Sequence, residues 1–177
     1  MNQPITPLQE APAQVSYAAV LGLTGARGNE WARLRGVQYS ALSNVTFLRV
    51  FGHAILAVFV AQIYLKTVPT LWLGGWVVVL VGLHFLGARF DRALADADRR
   101  KISRFEFYRQ SMTSVFSGVL WGGAVLVFGP LGSLEDLLAL LAVIAIISSG
   151  AIYFRTSAPL GAVLFALVSG VAISAYL

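Results

Sequence analysis

Residues 46–65, TFLRVFGHAILAVFVAQIYL, and residues 68–88, VPTLWLGGWVVVLVGLHFLGA, decide how the rest of the chain is read. Each is an almost unbroken apolar run of the ~20 residues that an α-helix needs to cross the hydrocarbon core of a bilayer. Two residues, Lys66 and Thr67, separate them, so the pair reads as a tight helical hairpin. Three more runs of the same kind follow: 111–128 (SMTSVFSGVLWGGAVLVF), 134–153 (LEDLLALLAVIAIISSGAIY) and 158–177 (APLGAVLFALVSGVAISAYL). The expected fold is therefore all-α, a polytopic membrane bundle of five transmembrane helices.

Composition agrees. Hydrophobic residues make up 58% of the chain and charged residues only 12%, with a mean hydropathy of +0.76. A soluble domain usually carries about twice that charge, ~25%. There are no cysteines, which removes disulfides, thiolate metal sites and Cys nucleophiles from consideration.

The net charge of +5 is no signal for nucleic acid here, because in a membrane protein the placement of basic residues matters more than their sum. Twelve of the thirteen fall on one side of the expected spans. These are Arg27, Arg33, Arg35 and Arg49 before or early in the first span, seven residues of the segment 89–110, and Arg155. The other side holds Lys66, with Glu135 and Asp136. The positive-inside rule places the twelve in the cytoplasm. The N-terminus is then cytoplasmic, in a bacterial inner membrane, and five crossings leave Leu177 outside. No charged n-region leads an apolar core near the N-terminus, as a signal peptide would require.

Helix punctuation supports these limits. Pro69 stands where a missing N–H costs nothing. Ser133 precedes Leu134-Glu135-Asp136 as an N-cap with acids in the first turn, and Thr156 or Ser157 with Pro159 repeats the device. Trp72 and Trp76 fall in the outer half of the second span, where an aromatic belt is expected. Residues 1–28 read as a disordered cytoplasmic tail. Residues 29–45 (NEWARLRGVQYSALSNV) repeat apolar side chains at helical spacing and read as an interfacial amphipathic helix. Its alternative is a helix packed on another part of a larger protein. The basic segment 89–110 reads as a cytoplasmic loop, with 92–108 a self-paired charged helix.

Candidate site residues are few. The only histidines, His53 and His84, fall at similar depths on two antiparallel helices. Two imidazoles so placed suit a shared metal, a b-type haem ligated from both sides, or a pH-sensitive pair. The alternative is that each faces the headgroup zone or bonds a neighbouring helix. Arg49 and His53 are four residues apart and share a helix face. With Gln62 they form a candidate polar strip along a ligand cavity, or else interhelical glue. Ser114, Gly118 and Gly122 repeat a small residue every fourth position, a pattern that lets helix backbones approach closely within a bundle or a dimer. No phosphate loop, HExxH or GxSxG motif is present, and no carboxylate lies deep in a span, so the chain is expected to have no catalytic activity of its own.

The run NEWARLRGVQYSALSNVTFLRVFGHA, the basic segment and the stretch FYRQSMTSVFSGVLWGGAVLVFGPLGSLEDLL resemble the N-terminal membrane-sensor region of bacterial histidine kinases and GGDEF diguanylate cyclases. The resemblance covers residues 29–177. It implies a sensory input domain in signal transduction of the two-component type, working as a homodimer in the bilayer and relaying a stimulus by helix repacking. It implies no catalytic residues in this region. Members of that group usually cross six times, whereas five crossings are read here. Two rival expectations are an accessory subunit of a larger membrane complex and a haem protein using His53 and His84.

Overall fold

The computed structural model describes Leu21 and residues 45–94, 104–154 and 159–177. The tail at 1–28 (apart from Leu21), the amphipathic helix read over 29–45 (apart from Val45), and Thr156 and Ser157 lie outside them. Every regular element among the described residues is helical. The described residues form five α-helices: α1 (Thr46–Ile63), α2 (Thr70–Leu94), α3 (Arg104–Phe128), α4 (Leu134–Phe154) and α5 (Pro159–Tyr176). Single 3-10 turns, Tyr64–Lys66 and Gly129–Leu131, follow α1 and α3.

Three stretches, Thr46–Lys66, Thr70–Phe90 and Ser111–Leu131, are long and apolar enough to cross a membrane by length and composition. The surface has the same character. Phe47, Ile55, Leu71, Val78, Phe85, Phe116, Leu138, Ile146 and Val171 all point outward, while His84, Ser111, Ser114, Ser117 and Ser169 are buried. Water would penalise such an apolar exterior, and lipid does not. This is the surface of a membrane protein.

The helix ends follow from local chemistry. Pro69 precedes α2 and its carbonyl accepts from the Trp72 and Leu73 N–H groups (2.9 and 3.2 Å), so the residue without an N–H sits where no donor is needed. Ser133 and Asp136 close a capping box: the Asp136 N–H donates to Ser133 Oγ (3.2 Å) and the Ser133 N–H to Asp136 Oδ2 (2.8 Å). Together they satisfy two donors that the first turn of α4 would otherwise leave open. At the other end of the bundle, α2 continues to Leu94 and α3 begins at Arg104, so both helices run beyond their apolar spans into the basic segment. The Arg109 guanidinium lies 4.3 Å from the centre of the Phe90 ring, a cation–π contact that ties the two extensions together.

Contacts set the helix directions. Gly87 on α2 faces both Arg49 of α1 and Thr113 of α3. Further along, Trp76 of α2 reaches Leu120 of α3. Helix α2 is therefore antiparallel to α1 and α3. Gly118, Gly122 and Gly129 meet Val168, Ala172 and Tyr176 in order, so α3 and α5 run in the same direction. Their interface is the most extensive among the described helices. The core runs from Ala57 and Val60 of α1 and Tyr64 of the turn after it, through Leu73 and Leu80 of α2 and Trp121, Val125 and Phe128 of α3, to Leu140 and Ile144 of α4.

Candidate functional site

The face of α1 that carries Val50, Ala57 and Val60 inward also carries Arg49 and His53, at intervals of three or four residues. His53 lies seven residues into α1, about 10 Å along the axis at 1.5 Å per residue. On the antiparallel α2, His84 comes to the same level. The two imidazoles stack, with ring centroids 3.7 Å apart and planes inclined by 21°.

Helix α3 supplies the other half of this layer. Trp121 Nε1–H donates to His53 Nδ1 at 3.1 Å. An indole N–H can only donate, so His53 Nδ1 carries a lone pair and the ring is neutral with its proton on Nε2. Ser117, one turn before Trp121, places Oγ 3.3 Å from His84 Nε2. A hydroxyl donates or accepts, so this contact suits either state of His84. His84, Ser114, Ser117 and Trp121 are all buried.

Aromatic rings extend the layer toward the turns after α1 and α3. Trp121 meets Trp76 edge to face at 5.1 Å, and Trp76 meets Phe128 in the same way at 5.6 Å. Phe128 lies 5.8 Å from Tyr64. Trp76 is thus not a belt residue. Its indole turns into the bundle, where Nε1–H finds the Leu120 carbonyl at 3.0 Å, while Trp72 stays exposed. Beside Trp76 an apolar groove of about 350 Å³ opens between α2 and α3, with Gly75 and Gly123 in its lining. The Trp76 N–H is already committed to the backbone, so the groove offers a visitor no polar handle from that ring.

The sequence-derived candidates fall into three groups. His53 and His84 are brought together. Arg49 lies one turn from His53 and reaches toward Gly87, one turn from His84: its Nη2 is 3.7 Å from where a Gly87 Cβ would stand. Gln62 is exposed on the opposite face of α1. Thirteen residues at 100° each rotate it well away from Arg49, so no strip joins the three. Ser114, Gly118 and Gly122 lie on the buried side of α3, and the two glycines abut α5. A Cβ on Gly122 would stand 2.7 Å from the Ala172 Cβ, and one on Gly118 would stand 3.1 Å from the Phe165 carbonyl oxygen.

The arrangement of the two histidines does not fit a haem held between them. Axial imidazoles present a ring nitrogen edge-on to iron from opposite sides of the porphyrin. Here the rings lie face to face at stacking distance, and His53 Nδ1 is engaged by Trp121. Nor do the described residues gather three or more His, Cys, Asp or Glu side chains in one place. Sequence reasoning places the histidines at one depth but misses Ser117 and Trp121 as their partners. One signal is available: a tryptophan deep in a span must find an acceptor for its N–H, and Ser117 lies one turn away on the same face.

Comparison with protein-family models, curated proteins and solved structures gave no match.

Proposed function

We propose that this chain is a sensory input module of a bacterial inner membrane. It crosses the bilayer five times, with its N-terminus and the basic segment 89–110 in the cytoplasm, and performs no chemistry of its own. It works as a homodimer and relays a stimulus to a signalling partner by repacking its helices. One observation carries this reading: a polar layer of half-buried His53 with buried His84, Ser117 and Trp121 joins three helices at one depth in a largely apolar bundle. Ionisable side chains inside a membrane are costly and mark function by default. Among the described residues the pair belongs to no cluster of three or more His, Cys, Asp or Glu side chains. What the layer does control is how α1, α2 and α3 sit against one another, and a change in packing is what an input module has to transmit.

The chain has no native cysteine, so paired cysteines report cleanly. The Thr113 Cγ2 lies 3.9 Å from where a Gly87 Cβ would stand. The double variant Gly87→Cys/Thr113→Cys should form a disulfide in native membranes. Its yield should change when pH, acyl-chain length or a lipophilic ligand is varied. A yield constant under all three would reject the input-module reading. Labelling of Ser133→Cys from outside intact cells, with Ser103→Cys protected, tests the orientation.

A further inference from the structure

We propose that the stimulus-receiving site of this module is the stacked imidazole pair, and that its ligand is the proton. The inference rests on the input-module reading and adds to it the chemical class of the signal.

The hydrogen-bond pattern makes the two rings unequal. His84 can take a proton with little rearrangement, because Ser117 Oγ at 3.3 Å turns from donor to acceptor by rotating its hydroxyl. The resulting imidazolium lies over the neutral His53 ring at 3.7 Å, a cation against a π-face, and the stack survives. His53 has no such freedom. Its only unprotonated nitrogen is Nδ1, which already accepts from Trp121. A proton there sets N–H against N–H, so the Trp121 bond must break. It also puts two like charges face to face at stacking distance, where the low-dielectric surroundings screen them poorly.

The charged and titratable groups around the pair come from three helices. From α1, Arg49 lies one turn from His53 and reaches to Gly87. From α3 the groups at this level are Ser114, Ser117 and Trp121, none of which carries charge. Tyr108 and Arg109 lie about two turns or more further along α3. Asp91 on α2 is two turns from His84 and Glu106 on α3 three turns from Ser117. Glu135 and Asp136 begin α4 at the opposite end of the bundle. Along the helix axes these acids lie two turns or more from the pair.

The pair is therefore a two-step element. The first proton, on His84, is accommodated. The second, on His53, parts the rings and frees Trp121, which is also the ring that meets Trp76. Helices α1 and α2 then lose their shared contact with α3. Because α3 extends from this layer down to Arg104 in the basic segment, the rearrangement is carried along a continuous helix toward the end assigned to the cytoplasm.

The test uses the full chain in lipid nanodiscs with 15N-histidine and 15N-tryptophan labels. Only two histidines exist, so each imidazole is resolved. Between pH 8 and about pH 5, the window of histidine chemistry, the protons should bind in two steps differing at least tenfold in affinity. His84 should lead, and the Trp121 indole signal should move with the second step alone. Both rings titrating together, a Trp121 signal indifferent to pH, or no titration across the window would each overturn the proposal. In His84→Gln, His53 should titrate in a single step. The cysteine pair separates the two readings: if the proton steps fail while the Gly87→Cys/Thr113→Cys disulfide still responds to a lipophilic ligand, the module stands and the proton is not its signal.

Discussion

Helix α3 presents two faces, and they are held by different means. Toward α5 it shows Gly118 and Gly122, with the neighbouring backbone and side chains almost in contact with them. Toward α1 and α2 it shows Ser117, Trp121 and Phe128, large or polar groups whose partners are rings and single hydrogen bonds. The first face has one solution. Two backbones at van der Waals distance gain dispersion along their whole length and cannot shift without losing it. The second has several, because a ring that loses one hydrogen bond can turn and find other contacts. A bundle built this way has a rigid seam and an adjustable one, and the histidine pair sits on the adjustable side. The proposed repacking then belongs to α1 and α2 against α3, with α3 and α5 expected to move together.

The largest effect should come from forcing the rigid seam. Gly122→Leu places a branched side chain where even a methyl group would stand 2.7 Å from Ala172. Overpacking of this kind typically costs about 1–3 kcal/mol, and this substitution should reach or pass the upper end. Gly123→Leu is the matched control. It is the next residue on the same helix, but a Cβ there meets nothing within 4 Å. Unfolding in mild detergent should show Gly122→Leu strongly destabilised and Gly123→Leu within a few tenths of a kcal/mol of the parent, the usual range for substitutions that disturb no packing. Equal losses at the two positions would mean that the seam is no tighter than the groove.

The adjustable side should respond less in stability and more in behaviour. Trp121→Phe keeps an aromatic ring beside Trp76 but removes the donor to His53 Nδ1. Losing one partner of a buried hydrogen bond should cost about 1–2 kcal/mol. The imidazole Nδ1 would then be open to a proton without a bond to break, so the two histidine steps should move closer together. A variant as damaged as Gly122→Leu would show that both faces are equally rigid, and the distinction between them would fall.

The same contrast separates what is legible in the amino-acid sequence from what is not. Apolar runs of the right length mark helices directly, because in lipid every backbone polar group has to be satisfied within its own segment. The shared depth of His53 and His84 follows from a short connection between two antiparallel helices. The small residues of α3 are visible as a repeat, but their partner is not: nothing in Gly118 or Gly122 distinguishes α5 from a second copy of the chain. The stacking of the histidines is equally hidden, since it depends on how α1 and α2 rotate about their own axes. Gln62 shows the cost of ignoring that rotation, because polarity alone places it beside Arg49 and the helical repeat places it opposite. The inward turn of Trp76 is concealed by a general expectation about where tryptophans sit. Its N–H reaches the Leu120 carbonyl, and only the three-dimensional arrangement brings that acceptor within range.

The smallest effect concerns the far end of the adjustable side, and it asks whether polar bonds or ring packing hold that face. Tyr64 is fully buried, its ring tilted against Phe128 and pressed against Gly132, where a Cβ would meet its Cε1 at 2.6 Å. Its hydroxyl oxygen is buried with no hydrogen-bond partner among the described residues. A buried donor left unsatisfied costs free energy, so removing it while keeping the ring should be neutral or stabilising. Tyr64→Phe should therefore leave the unfolding midpoint unchanged or raise stability by up to about 1 kcal/mol, with the histidine titration untouched. Gly132→Ala should do the reverse by driving a methyl group into the ring. A clear loss of stability in Tyr64→Phe would mean that the hydroxyl holds a partner at this end after all. The face would then be pinned by polar bonds at both ends, leaving the imidazole layer much less room to reorganise.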